Sequence, residues 1–205
     1  MLLAGIGQFL PKGTTTMGRL QRDHGGHIVG LRTFSQVLTR HGAFMGSVAL
    51  VLTLVMGAPA LVQSLAVLFG QPGRYVLAIG LVVTGFVVYL RVRGLTGGRY
   101  QAWWIVYLFY ISAVEEIAFR LYLPVGLNPL LGPEAAIIAS NAVFGAIHYV
   151  TLRWKLGHCV FAALGGIGLS RLLESSGDLM LVILVHFIAT FLNTPRSPEG
   201  GARRG

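Results

Sequence analysis

Long apolar stretches separated by short polar segments run along most of the chain. Six of them, the last one short, are candidates to cross a hydrocarbon core of about 30 Å, which takes roughly 17–25 helical residues. They lie near 43–69, 75–91, 101–123, 134–152, 155–173 and 178–193. No alternation of apolar and polar residues predicts strands. The pattern therefore predicts an all-α integral membrane protein, a bundle of about six transmembrane helices with no β-sheet.

The same pattern divides the chain into three parts. Residues 1–42 form a largely polar N-terminal segment, and its apolar start is compatible with an interfacial helix. Residues 43–193 form the polytopic membrane domain. The tail, residues 194–205, contains Pro, Gly and Arg but no large apolar side chain to bury, so it is predicted to be disordered.

Composition changes how the charge is interpreted. Apolar residues make up 54% of the 205 residues and charged residues only 11%, which excludes a disordered chain and an ordinary soluble enzyme. The formal net charge of +9 would point to nucleic acid in a soluble domain. In this apolar chain the basic residues are better explained as loop charges that orient a membrane protein, and no nucleic-acid partner is expected.

The basic residues lie mostly on one side of the predicted spans. They precede the first span, follow the last, and occupy the connections after the second and fourth spans, whereas the opposite side has only Arg74 and Arg171. Cytoplasmic loops carry such an excess of Lys and Arg. The pattern predicts a multi-pass protein of the bacterial inner or plasma membrane, with both termini in the cytoplasm.

Three ionisable residues interrupt the third span, in the run ISAVEEIAFRLYLP. A charge within a span costs at least about 2.5–3.5 kcal/mol, so each of them is a functional candidate. Glu116 and Arg120 lie one helical turn apart and can pair. Glu115 points about 100° away from that face and has no partner one turn further on. Glu115 is therefore predicted to act as a general base, with the Glu116–Arg120 pair as a structural brace.

Two histidines, His148 and His186, lie in later spans. Each shares a helix face with residues one and two turns away: Asn141 and Phe144 for His148, Thr190 and Asn193 for His186. A single intramembrane histidine is often only a hydrogen-bond partner between helices. Two carboxylates, an arginine and two histidines on three spans exceed what packing requires, so the set indicates a functional site.

The order and spacing of these residues resemble the CPBP family of CAAX prenyl endopeptidase-like intramembrane proteases. The first motif reads EEIAFR (Glu115 to Arg120), the second reads FGAIH (Phe144 to His148), and His186 begins the third. The resemblance covers about residues 75 to 193. The family's third motif is His-x-x-x-Asn or Asp, whereas Thr190 stands at that position here. Asn193 or Asn141 would then have to supply the amide side chain that the family's third motif provides.

The resemblance implies an endopeptidase that hydrolyses a peptide bond of a membrane-associated or lipid-modified protein. Its catalytic residues would be Glu115, which activates water, and His148 and His186, which stabilise the oxyanion. Because the glutamate pair already offers a base, a metal-free route is favoured, and a zinc ion held by these same three residues is the alternative. The implied partners are the lipid bilayer and a peptide or protein substrate in it, bearing for example a prenyl group or a C-terminal sorting segment.

Two other functions stay open at this stage. A non-catalytic membrane partner or immunity protein on the same fold would explain Thr190. A proton-relay transporter could use the same buried charges, although the chain has no repeated half.

The depths of the site residues disagree in the predicted spans. At about 1.5 Å per residue, Glu115 and His186 lie roughly 12 Å from the outer ends of their spans, and His148 lies about 21 Å from the outer end of its own. The spans as predicted therefore place His148 about two turns too deep.

Overall fold

The computed structural model of the chain describes residues 16–25, 27–28, 30–95 and 100–198. Eight helices make up most of this part: α1 (Phe34–Met56), α2 (Pro59–Ser64), α3 (Ala66–Gly70), α4 (Pro72–Val92), α5 (Tyr100–Leu131), α6 (Pro133–Thr151), α7 (Leu156–Ser176) and α8 (Leu179–Asn193). A 3-10 turn (Thr16–Arg19) and a two-residue antiparallel pair, β1 (Asp23–His24) with β2 (His27–Ile28), precede them. Apart from that short pair, the all-α prediction is confirmed.

Four of these helices, α1, α4, α5 and α7, are long and apolar enough to cross a membrane, and α8 is apolar but shorter. Large apolar side chains such as Leu54, Val55, Val76 and Phe161 are exposed on their outer faces. A surface of this kind is suited to lipid rather than to water. The protein is a multi-pass membrane protein, and the predicted count of six spans is approximate.

The first helix begins earlier than the predicted span. Thr33 caps α1. Its hydroxyl oxygen accepts a hydrogen bond from the backbone N–H of Gln36, and the side-chain oxygen of Gln36 accepts one from the backbone N–H of Thr33. This capping box fixes the start of the helix at Phe34 instead of 43. The helix ends at Gly57, whose φ of 85° favours glycine, and Pro59 then begins α2. The predicted span 43–69 is therefore divided into three helices.

The third predicted span was too short at its C-terminal end. α5 continues through Pro124 and Pro129 to Leu131, whereas the sequence predicted an end at 123. A π-helical stretch, Ile117–Tyr122, lies directly before Pro124. In membrane helices such local π adjustments re-satisfy the backbone groups that a proline leaves without a partner.

α5 lies at the centre of the bundle, where it packs against α1, α6 and α8. The rings of Phe86 on α4 and Phe191 on α8 stack 3.6 Å apart and tie those two helices together. Just past the C-terminal end of α8, Trp104 and Gln101 of α5 donate hydrogen bonds to the carbonyl oxygens of Thr194 and Pro195. The start of the predicted tail therefore lies against α5. Residues 199–205 and the predicted interfacial helix at the N-terminus lie outside the described residues.

Candidate active site

The greater length of α5 removes the disagreement in depth. At about 1.5 Å per residue, Glu115 lies about 24 Å from the end of α5 at Leu131, and His148 lies about 22 Å from the start of α6 at Pro133. Because Leu131 and Pro133 are separated by Gly132 alone, the two residues are at nearly the same depth. His186 is only about 10 Å from the start of α8 at Leu179, and its ring still lies 3.7 Å from Glu115, so α8 begins deeper in the bundle than α6 does.

The structure brings the three predicted catalytic residues together. The side chain of Glu115 is buried, with the residue only 2% exposed. Its Oε1 atom lies 3.6 Å from Nε2 of His148, and its Oε2 atom lies 3.7 Å from Nε2 of His186. One carboxylate thus faces two imidazole rings from two other helices.

A third histidine, which the sequence analysis missed, completes the cluster. His41 of α1 is 2% exposed, and its Nε2 atom lies 2.9 Å from Oε1 of Glu115. It was overlooked because it precedes the predicted first span and stands among polar residues, where a histidine is unremarkable. The Gly42-x-x-x-Gly46 pattern that follows it was the available signal, since small residues four apart let membrane helices approach closely.

That close approach is visible between α1 and α5. A Cβ atom on Gly42 would lie 2.9 Å from the ring of Tyr107, and one on Gly46 would overlap the hydroxyl of Tyr110. The Tyr110 hydroxyl also donates to the carbonyl oxygen of Gly42. The two glycines therefore allow α1 to lie against α5 with His41 turned towards Glu115.

Two π-helical stretches lie at the site. His41 belongs to the stretch Leu38–Gly42, and Arg120 belongs to Ile117–Tyr122, which starts directly after Glu115 and Glu116. A π-helical turn changes the direction of the side chains that follow it and occurs often at functional sites.

Each imidazole ring is held through its Nδ1 atom. Nδ1 of His148 lies 2.9 Å from the carbonyl oxygen of Phe144, one turn earlier in α6. Nδ1 of His41 lies 2.7 Å from the hydroxyl of Thr151, and Nδ1 of His186 lies 2.5 Å from Oε1 of Glu116. All three rings therefore turn their Nε2 atoms towards Glu115.

Glu116 and Arg120 form the predicted pair within α5. The Nε atom of Arg120 lies 3.3 Å from Oε2 of Glu116, in ion-pair range but without hydrogen-bond alignment, and both side chains are fully buried. The guanidinium also lies over the ring of Phe144, 4.1 Å from its centroid. Because Glu116 holds His186 as well, the pair also positions a ring of the site.

The remaining supporting residues differ in what they contact. The Asn141 amide donates to the carbonyl oxygen of Ile137 and, at 3.0 Å, to the hydroxyl of Ser170 on α7. Asn141 thus joins α6 to α7. Thr190 and Asn193 line the same cavity as Glu115, and within the described residues neither side chain forms a hydrogen bond with His186.

A cavity of about 280 Å³ opens beside Glu115. Its wall is mostly apolar and includes Trp104, Leu108 and Ile111 of α5. Its polar lining includes Glu115 with the three histidines, together with Arg120, Thr190 and Asn193. An apolar cleft with a few convergent polar groups is the usual form of a binding or catalytic site.

The residues that could hold a metal ion differ from the predicted set. His41, Glu115 and His148 each offer a ligand atom, and these atoms lie within 4.8 Å of one another. The sequence had offered Glu115, His148 and His186 for that role. Two imidazoles and one carboxylate are a ligand set that catalytic zinc sites use.

Comparison with known proteins gives one family. Residues 98–192 match the family described as Type II CAAX prenyl endopeptidase Rce1-like. The matched segment contains Glu115, Glu116, Arg120, His148 and His186, and it excludes α1 with His41. Neither the curated proteins nor the solved structures gave a match.

Proposed function

Because residues 98–192 belong to the CAAX prenyl endopeptidase-like (CPBP) family, we propose that this chain is an intramembrane endopeptidase. It hydrolyses a peptide bond of a protein held in or at the lipid bilayer. The observation that carries the proposal is the buried carboxylate of Glu115, surrounded by histidine Nε2 atoms at the wall of an apolar cavity. A bundle that needed only packing would not retain these groups.

Glu115 activates the attacking water. Its Oε1 atom is engaged by His41, and its Oε2 atom, on the side of His186, accepts the proton of the water. The oxygen of that water forms a bond to the carbonyl carbon, and negative charge develops on the carbonyl oxygen. When the C–N bond breaks, Glu115 returns the proton to the leaving amine.

His148 and His186 stabilise the developing oxyanion. In their doubly protonated forms they donate from Nε2, the atom that each ring turns towards the reacting centre. Phe144 and Glu116 fix the orientation of these two rings through Nδ1, so little reorganisation is needed during the reaction.

The substrate is a peptide with an apolar or lipid-bearing segment. The cavity beside Glu115 is lined mainly by apolar and aromatic side chains, which favours such a segment over a polar one. A protein tail that carries a prenyl group, or a C-terminal sorting segment, fits this description.

The site faces the side of the membrane on which the basic loops lie. His41 is about 10 Å from the start of α1, at about 1.5 Å per residue, and His148 is close to the end of α6. Arg40, Arg153 and Lys155 are near the same helix ends. By the excess of basic residues in cytoplasmic loops, this side is the cytoplasm of a bacterial cell, and the membrane is its inner or plasma membrane.

The decisive experiment compares the protein termini in membranes of cells that express the wild type or Glu115→Gln. Gln keeps the shape of the side chain but cannot act as a base. Glu134→Gln, at an exposed glutamate on α6, is the matched control. We expect a new peptide end with the wild type and with Glu134→Gln, and none with Glu115→Gln.

Identical termini from all three proteins, at equal protein levels, would refute the peptidase. That outcome would favour a non-catalytic membrane partner on the same fold. Thr190, which forms no hydrogen bond with His186 within the described residues, is the feature that favours this second function.

A further inference from the structure

We propose that the backbone of residues 153–155 is a binding site for an extended peptide, and that residues 16–22 of the chain itself occupy this site. We call residues 16–22 the strap. As a statement about binding, the proposal stands on the contacts of the strap. As a statement about catalysis, that the strap competes with the substrate, it rests on the proposed peptidase function.

The strap is held by its backbone. Gln21 and Trp154 form an antiparallel bridge. Two main-chain hydrogen bonds flank this bridge, from the N–H of Arg22 to the carbonyl oxygen of Arg153 at 3.0 Å, and from the N–H of Lys155 to that of Leu20 at 2.7 Å. Because these bonds use main-chain atoms alone, a peptide of another sequence can form them too, as in recognition by β-strand addition.

The short connection between α6 and α7 is shaped for this pairing. α6 ends at Thr151 and α7 begins at Leu156. Between them, Arg153 has a φ of 57°, in the left-handed region that residues other than glycine rarely adopt. Such strained backbone persists where its surroundings fix it and is common at functional sites. The carbonyl oxygen of Arg153 is one of the two acceptors in the pairing with the strap.

This connection lies directly beside the proposed catalytic centre. The ring centroids of Trp154 and His148 are 4.8 Å apart. Both residues line the cavity beside Glu115. A peptide that pairs with residues 153–155 is therefore placed next to the carboxylate that is proposed to activate water.

Met17 of the strap lines the same cavity. It is only 4% exposed, although it lies outside the apolar helices. Leu20 and Gln21 are buried as well, and the Gln21 side chain donates to the carbonyl oxygen of Leu31. The chain thus holds its own backbone-paired segment, with an apolar residue at the cavity, where an apolar substrate peptide would lie.

Arg22 fastens the C-terminal end of the strap. Its guanidinium donates to the carbonyl oxygen of Tyr149 at 3.0 Å and lies over the Tyr149 ring, 3.9 Å from the centroid. Arg22 is only half-buried, and the nearby pair of Lys155 and Asp23 is exposed to solvent. Contacts near the solvent open more readily than a buried core does. We therefore expect a substrate peptide to displace the strap without unfolding the bundle.

Opening of the strap can be measured without proteolysis through Cys159, the single cysteine of the chain. Cys159 lies in the first turn of α7 and is 4% exposed. Its Sγ atom lies 3.9 Å from the carbonyl oxygen of Trp154, on the connection that the strap pairs with. The full-length chain in detergent is treated with a maleimide, and the rate of labelling is followed by mass spectrometry.

Variants that weaken the strap should be labelled faster. Arg22→Ala removes a charged hydrogen bond and a cation–π contact, and about a tenfold higher rate is expected. Met17→Ala, which removes the buried side chain at the cavity, is the second variant and should have an effect of at least that size. Arg32→Ala removes an exposed arginine outside the strap and should be labelled as the wild type is.

A synthetic peptide tests the binding site itself. The peptide TTTMGRLQRDH has the sequence of residues 14–24, and adding it to Arg22→Ala should restore slow labelling of Cys159. The same peptide N-methylated at Arg22 lacks the N–H that donates to Arg153 and should not protect. Wild-type labelling of either folded variant, or equal effects of the two peptides, would overturn the proposal.

Competition with the substrate is tested by peptide cleavage. A strap that is closed in most molecules raises KM by the reciprocal of the open fraction, so Arg22→Ala should lower KM about tenfold at unchanged kcat. An unchanged KM despite faster labelling would overturn the competition. Faster labelling and protection by the peptide, in a chain that releases no peptide end, would refute the peptidase and leave the peptide-binding site standing.

Discussion

The Nε2 atom of His41 lies 2.9 Å from Oε1 of Glu115, although the two residues are 74 positions apart in the chain. The contact joins α1 to the centre of the bundle and fixes one oxygen of the proposed base. The side chain of Glu115 is thereby held between α1, α6 and α8, with one face towards the cavity.

Replacing His41 should abolish most of the activity. With His41→Ala, Oε1 of Glu115 loses its closest partner, and we expect kcat/KM on a cleaved peptide to fall by about 100-fold or more, in the range found for misplaced catalytic groups. The measurement is a peptide-cleavage assay on purified protein. His24→Ala serves as the control, and wild-type turnover by His41→Ala would exclude a role for α1 in the reaction.

Adding a methyl group to Gly166 should destabilise the bundle. A Cβ atom there would overlap Oδ1 of Asn141 and approach Nη2 of Arg120 to 2.5 Å, and both of these side chains are buried. Overpacking of this kind costs about 1–3 kcal/mol. The thermal unfolding midpoint of Gly166→Ala in detergent should therefore be lower than that of the wild type.

The adjacent glycine provides the control for that experiment. A Cβ atom on Gly165 would meet nothing within 4 Å, so Gly165→Ala adds the same methyl group at open space. Alanine also favours a helix over glycine by up to about 1 kcal/mol. Gly165→Ala should unfold at the same or a higher temperature, and equal losses in both variants would contradict the close packing of α6 and α7.

Replacing one member of the buried Glu116–Arg120 pair should destabilise the protein more than replacing both members. Arg120→Ala leaves Glu116 buried without a counter-charge, and such changes destabilise by about 3–5 kcal/mol. Glu116→Ala has the same effect on Arg120 and also releases His186. In a double-mutant cycle on unfolding, we expect the double variant to be more stable than the less stable single variant.

An exposed ion pair of the same chain is the reference for that cycle. Arg171 on α7 pairs with Glu134 and Glu174 at the surface. Because solvent screens such pairs, Arg171→Ala should leave the unfolding midpoint unchanged. If the Arg120 and Arg171 variants gave the same small effect, the α5 pair would not be the brace that its burial implies.

The start of α8 should contribute to the stability of the site. Asp178 accepts a hydrogen bond from the amide of Leu181 and another from the hydroxyl of Tyr75 on α4. Loss of an N-cap costs about 0.5–2 kcal/mol, so Asp178→Ala should lower the unfolding midpoint. Asp178→Asn keeps the capping oxygen and should retain most of the stability, and a loss equal to that of Asp178→Ala would argue against capping.

The sequence was sufficient to identify candidate site residues that lie within long apolar runs. Glu115, Arg120, His148 and His186 were found because a polar side chain inside a long apolar run needs an explanation. The same contrast failed for His41, since its neighbours are polar and α1 extends nine residues before the predicted span. Only the packing of α1 against α5 reveals that its side chain is buried.

Helix lengths were the other limit of the sequence argument. The third span was predicted to end at 123, directly before Pro124, and prolines commonly end helices in soluble proteins. Within the bundle, the π-helical stretch at Ile117–Tyr122 and the neighbouring helices let α5 continue. Eight further residues shift the depth of Glu115 by about 12 Å, at about 1.5 Å per residue, and bring it level with His148.

The contribution of His41 sets the order in which the proposed centre can form during synthesis. α1 leaves the ribosome early, but its partners Glu115 and Thr151 follow 74 and 110 residues later, and His186 comes last of all. A nascent chain that has inserted only its first helices holds one residue of the proposed centre, His41. The proposed centre is therefore incomplete until α8, which carries His186, has joined the bundle.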